Sequence, residues 1–155
     1  MTTIRFSENE INYVYAVAAL IADEVKSRPN AVPKYDPGVE FPAIKIGCLG
    51  EYALAKYLGV NWGFTPYDLH ANDVDGYEVR ATMRMDGCLL TKDTDKLGVY
   101  VLATGDKATK TITLQGWATL TEANTPSRWA EFMPKPCYRT PQNLLHPMAT
   151  LPSIR

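Results

Sequence analysis

Residues 73–80 read Asp-Val-Asp-Gly-Tyr-Glu-Val-Arg, and they concentrate most of the chemistry that this chain's residue types can offer. Asp75-Gly76 is a strong two-residue hairpin signal, because both central positions of a type I′ turn need positive φ. With that pair as the loop, Val74 faces Tyr77 and Asp73 faces Glu78. Directly opposed residues project from one sheet face with Cβ atoms ~5 Å apart. Arg80, two residues beyond Glu78, lies on that same face. Two carboxylates thus converge beside one cation. Like charges opposed on a sheet repel, and a bound Mg²⁺ or Mn²⁺ offsets the repulsion better than Arg80 alone. Magnesium favours one or two protein carboxylates, with water and phosphate oxygens completing its shell. Such an ion can lower the pKa of a bound water and steady the charge on a phosphodiester. The neighbouring guanidinium can clamp the phosphate. Asp73 and Glu78 are therefore the expected metal ligands, and Arg80 the expected phosphate contact. Asp75 is the weaker alternative ligand, since the turn claims its backbone.

The elements that hold these residues follow from periodicity. Ser7 and Glu10 form a capping-box pattern. Ile11, Val14, Ala18, Ile21 and Val25 recur at helical spacing after it, which predicts an amphipathic helix over 8–27. Prolines at 29, 33, 37 and 42 predict a long irregular connection. A second helix is expected over 44–58, with Gly59 as its stop. Glu51 falls on that helix's apolar stripe with Gly47, Leu54, Ala55 and Leu58. A carboxylate there either curls out to water or points inward at a shared site, because burial without a partner is costly. Residues 60–72 suggest a short strand or extended loop around Trp62 and Phe64. From Tyr77 the chain alternates with period two, which predicts a strand. Cys88–Thr91 reads as a short strand, residues 92–98 as a polar loop, 99–104 as a strand, and 109–120 as a strand interrupted at Gly116. Thr125-Pro126 reads as an N-cap and first helical residue, so a short helix through Phe132 is expected. Five prolines in the last twenty-odd residues predict an extended tail.

At 155 residues the chain fits one domain. The expected organisation is a single unit over 1–155, with an N-terminal helix (1–28), an α/β core (44–120) and a short helix and tail (125–155). A net charge of −1 speaks against a nucleic-acid coat protein, not against an enzyme with a local basic rim. Arg128, Lys135, Arg139 and Arg155 against Glu131 make the C-terminal part basic. Cys48, Cys88 and Cys137 are odd in number and widely spaced, which argues for free thiols in a reducing compartment and against structural zinc. No apolar run reaches the ~20 residues of a membrane span, and no signal peptide is evident. A cytoplasmic protein is expected. Asp93 and Asp95 lack the glycine and terminal Glu of a calcium loop. Trp62, Trp117 and Trp129 are read first as packing residues and only second as base-stacking ones.

The helix Gly-Glu-Tyr-Ala-Leu-Ala-Lys-Tyr-Leu-Gly (50–59), followed by Asp73 and then Glu78-Val79-Arg80, resembles the PD-(D/E)XK nuclease superfamily. The segment 46–148 also resembles small bacteriophage proteins with a Gly-Glu helix, an Asp-Val-x-Gly hairpin and a Val-Arg-x-Thr strand. Gly116-Trp117 and Pro141-Gln142-Asn143-Leu144 match their later elements. The resemblance implies a restriction-endonuclease-like fold: a central mixed β-sheet flanked by helices, here with an extra N-terminal helix and a Pro-rich C-terminal tail. It implies Mg²⁺- or Mn²⁺-dependent hydrolysis of DNA, in the host-cell cytoplasm if the chain is phage-encoded, with a homodimer left open. Asp73 and Glu78 would be metal ligands, Glu51 the helix carboxylate, and Arg80 the occupant of the lysine position. Arg differs from Lys in staying charged, so it cannot act as a general base. The Asp73–Glu78 spacing is short, and no helix pattern lies between Arg84 and Val99. The alternative expectation is a non-catalytic relative that binds nucleic acid or a host protein, or a phage structural or assembly domain.

Overall fold

A computed structural model describes residues 1–27, 41–63, 73–106 and 110–154. Thr2–Arg5 forms β1, Glu8–Ser27 α1, Phe41–Leu58 α2, Glu78–Thr82 β2, Leu89–Thr91 β3, Val99–Asp106 β4, Thr111–Thr119 β5, Leu120–Ala123 α3, Trp129–Ala130 β6 and Cys137–Thr140 β7. The protein is mixed α/β. Its main sheet has the order β1-β5-β4-β2, with β2 parallel to β4 and the other neighbours antiparallel. A second sheet has the order β3-β7-β6.

The capping box at α1 forms as the spacing predicts. Ser7 N donates to Glu10 Oε1 at 2.8 Å, and Glu10 N donates to Ser7 Oγ at 3.1 Å. Glu10 also accepts from Lys56 Nζ and the Tyr52 hydroxyl, tying the start of α1 to α2. The Ser7 backbone bond, with smaller help from Lys56 and Tyr52, holds the Glu10 carboxyl down at about 2 despite opposing desolvation. A carboxylate with a depressed folded pKa stabilises the protein above its unfolded value near 4.5, and the contribution is lost as pH falls from there towards 2. We expect Glu10→Gln to cost about 1 kcal/mol at pH 7. Thermal melts of the two proteins should converge as pH drops through that window; a constant difference down to pH 2 would refute the linkage.

One face of the main sheet is covered by the helices. Val14, Ala18 and Ile21 of α1 pack with Ile44, Cys48, Ala53 and Leu54 of α2 over Val79, Val101, Ala103, Ile112 and Leu114. Close approach is set by Gly50, whose missing Cβ would sit 3.0 Å from Ala81 Cβ and 3.2 Å from Ala103 Cβ. The opposite face carries a smaller cluster of Leu89, Tyr100, Leu102, Ala118, Leu120 and Ala123, under α3 and the second sheet. β4 is therefore buried on both sides, which explains its unbroken apolar run Val-Tyr-Val-Leu-Ala.

Several expectations need correction. α2 begins at Phe41, not 44, because Pro42 is compatible with a first helical turn. No helix reaches Phe132: a 3-10 turn over Pro126–Arg128 gives way to β6. The tail is not simply extended, since β7 is the central strand of the second sheet and two 3-10 turns follow it. β1 and the capping box that starts α3, Thr119 with Glu122, went unread. Residues 60–63 form no strand, and Phe64 together with the proline-rich connection at 28–40 lies outside the described residues. None of the three cysteines forms a disulfide. Among the described residues no helix is long and apolar enough to cross a membrane.

Candidate functional site

The hairpin forms in the predicted register. Val74 N donates to Tyr77 O at 3.1 Å and Tyr77 N to Val74 O at 2.8 Å. Asp75 (φ 49°) and Gly76 (φ 93°) both adopt positive φ, as a type I′ turn requires. Asp73 and Glu78 consequently meet across the turn, both nearly buried. Asp73 Oδ2 accepts the backbone N–H of Val79 at 2.8 Å, which fixes its carboxylate on the edge of β2. Glu78 Oε1 is buried and makes no hydrogen bond; Lys96 Nζ sits 2.8 Å away as an ion pair outside hydrogen-bond geometry. Desolvation pushes the Glu78 carboxyl above its ordinary range. The adjacent Asp73 adds to this by charge and by a shared hydrogen bond, and Lys96 opposes it.

Arg80 shares the face of Glu78, as alternation predicts. Its guanidinium pairs with Asp95 at 3.2 Å and lies 5.0 Å from the centre of the Tyr100 ring. The Tyr100 hydroxyl donates to the Lys96 carbonyl at 2.7 Å. Burial, first among several causes, raises that phenol to about 12, so it keeps its proton at neutral pH. These side chains line a cleft of about 960 Å³. The 92–96 loop, in contact with Glu78, Arg80 and Tyr100, and Met133–Lys135 complete its lining.

Glu51 is buried, as its place on the apolar stripe suggested, but it does not line the cleft. Its Oε1 accepts from Trp62 Nε1 at 3.4 Å. Among the described residues no group of three or more His, Cys, Asp and Glu side chains gathers to hold a metal, so Glu51 does not complete a triad with Asp73 and Glu78. Asp75 stays in the turn. Trp62 packs edge-on against Tyr13 and Tyr52, and Trp117 stacks on His146 at 4.4 Å, so both serve packing. Trp129 packs against Tyr138 but is half exposed.

Lys96 and Tyr100 were not singled out by the sequence. Their arrival follows from the parallel pairing of β2 with β4, which sets Glu78 beside Tyr100 and brings the starts of both strands to one end of the sheet. The loop entering β4 must then pass Glu78. Comparison of the chain with protein-family models, with curated proteins and with solved structures finds no match.

Proposed function

We propose that the cleft hydrolyses phosphodiesters of DNA with Mg²⁺ or Mn²⁺, using a site of PD-(D/E)XK type on a restriction-endonuclease-like core. The supporting observation is the pair of nearly buried carboxylates, Asp73 and Glu78, touching across the turn at a cation-rimmed cleft. The donor set suits the ion. Two nearly buried carboxylates that repel each other, with Lys96 Nζ already 2.8 Å from Glu78 Oε1, mark a place that favours positive charge and match a cation that takes few protein ligands. When bound, the ion supplies positive charge at the phosphate oxygens. Arg80, beside the Tyr100 ring and paired with Asp95, presents a guanidinium to phosphate. Lys96, beside Glu78, supplies the ammonium that an arginine at position 80 cannot replace, because its proton can be exchanged with an attacking water or leaving oxygen.

The proposal is tested by incubating DNA with the protein in Mg²⁺, Mn²⁺ or EDTA. Cleavage is expected only with metal. Lys96→Met should slow it on the order of a hundred-fold while DNA retention stays within a few-fold. A second reading rests on the same ion pair: Lys96 already offsets part of the acidic charge, as in a relative that binds nucleic acid or a host protein without cutting. DNA binding that persists in EDTA, with no cleavage in either metal, selects that reading and rejects the first.

A further inference from the structure

The cleft does not end at Arg80. Arg80, Ala81, Leu90 and Met133 also line a second cleft of about 360 Å³, which continues past Thr82 to Arg84, Phe132 and Arg139. The two form one trench. Its floor is the edge strand β2, and its wall is β3 with the 132–137 segment. Alternate residues of a strand recur every ~7 Å on one face, so the trench runs along β2 from the carboxylate pair past Arg80 and Thr82.

Arg80 and Lys96 pair with Asp95 and Glu78, but three other cations along it are not engaged by acids. Lys92, Lys135 and Arg139 are exposed and have no acidic partner among the described residues. Among the described residues Arg84 meets only Asp86, at 3.5 Å with both side chains about four-fifths exposed, too loose to hold it. The wall also carries an apolar element. Phe132 is 77% exposed, with Leu90 half exposed nearby and the Arg139 guanidinium 6.0 Å from the ring centre. A duplex offers phosphates to cations but hides its base faces, so this ring has nothing to meet on intact double-stranded DNA. An unpaired strand offers both, and cations beside an exposed aromatic ring are the combination that binds it. The reactive pair points the same way: with Asp73 and Glu78 nearly buried, the phosphodiester has to descend into the trench.

We propose that the trench along β2 holds single-stranded DNA, with phosphates on Lys92, Lys135 and Arg139 and one base stacked on Phe132. This rests on the hydrolytic reading for the end of the strand at the carboxylates, but the binding is measured without cleavage. The test is fluorescence anisotropy of a labelled oligothymidine and of a mixed-sequence duplex of the same length, in EDTA, across a salt series. The single strand is expected to bind at least ten-fold tighter than the duplex. Phe132→Ala should weaken it about ten-fold with its salt slope unchanged. Arg139→Gln should shallow the slope by about 0.7. Circular dichroism confirms that both variants fold, as expected for exposed positions. Equal or tighter duplex binding overturns the proposal, and so does a Phe132→Ala protein that binds like the wild type. Absence of metal-dependent cleavage alongside a preserved single-strand preference rejects hydrolysis and leaves the trench standing; cleavage without that preference does the reverse.

Discussion

Asparagine at position 73 is expected to remove metal-dependent cleavage, by a hundred-fold or more, while making the metal-free protein more stable. The two effects have one cause. Asp73 and Glu78 press two carboxyl groups together out of water, and Glu78 is left with a raised pKa, through desolvation first and Asp73 second. An asparagine keeps an oxygen to accept the Val79 N–H, and its amide can donate to Glu78 where the carboxylate repels it. The relief is worth about 1 kcal/mol, or ~2–4 °C in melting temperature for a domain of this size. The loss of cleavage follows from removing a ligand, since even groups that only orient metal ligands cost ~10- to 100-fold when changed. Mg²⁺ should raise the wild-type melting temperature and leave that of Asp73→Asn unmoved. The pH dependence has a definite sign. A carboxyl whose pKa is raised by folding binds its proton more tightly in the native state, so stability falls as pH rises from about 4.5 through the folded value. That slope should be shallower in the variant. Cleavage by Asp73→Asn at the wild-type rate would remove Asp73 from the site. A lower metal-free melting temperature would mean that the Val79 bond outweighs the repulsion.

What the sequence disclosed about this site is what short-range rules govern. Asp75-Gly76 dictates a type I′ turn, the turn dictates the register, and the register brings Asp73 onto Glu78. Period-two alternation then places Arg80 on the same face. Capping chemistry and helical spacing located α1 nearly to the residue. Lys96 was hidden because its position depends on a parallel pairing between strands separated by sixteen residues, and no local pattern encodes that. Glu51 shows the converse limit. Burial was legible from the apolar stripe, but the partner, Trp62, arrives from the chain beyond the helix. The second sheet was missed for a similar reason: its strands are two to four residues long, and proline density in the tail masks Cys137–Thr140 as a strand. Nor does a long polar loop advertise that Leu89–Thr91 pairs with that tail across some fifty positions.

Gly116→Ala is expected to be strongly destabilising, because position 116 is where the tail locks onto the sheet. β5 shifts register here, with Leu102 facing Gly116 and Ala103 facing Leu114, so Gln115 is the extra residue of a bulge. Gly116 adopts φ +154°, and a Cβ would lie 2.5 Å from the His146 carbonyl oxygen and 2.8 Å from Leu145 Cβ. Neither neighbour can yield cheaply. His146 exchanges both backbone hydrogen bonds with Trp117, at 3.0 and 2.8 Å, and its ring meets Glu122 at 2.6 Å. Glu122 in turn closes the capping box of α3 through Thr119. Beyond this clamp the tail drops Met148 into the main core, and Pro152 accepts the Tyr77 hydroxyl at the base of the Asp73 hairpin. A side chain at 116 therefore loosens the tail and, through Tyr77, the turn that aims the carboxylates. Strain and lost packing together predict a cost of about 3–4 kcal/mol, a fall of roughly 6–15 °C in melting temperature. Hydrogen exchange should show amide protection lost first at residues 144–151, and cleavage should fall along with it. A variant that melts within 2 °C of the wild type (about 1 kcal/mol or less) with those amides still protected would mean the tail is held by its apolar residues alone, and that the clamp at His146 contributes little.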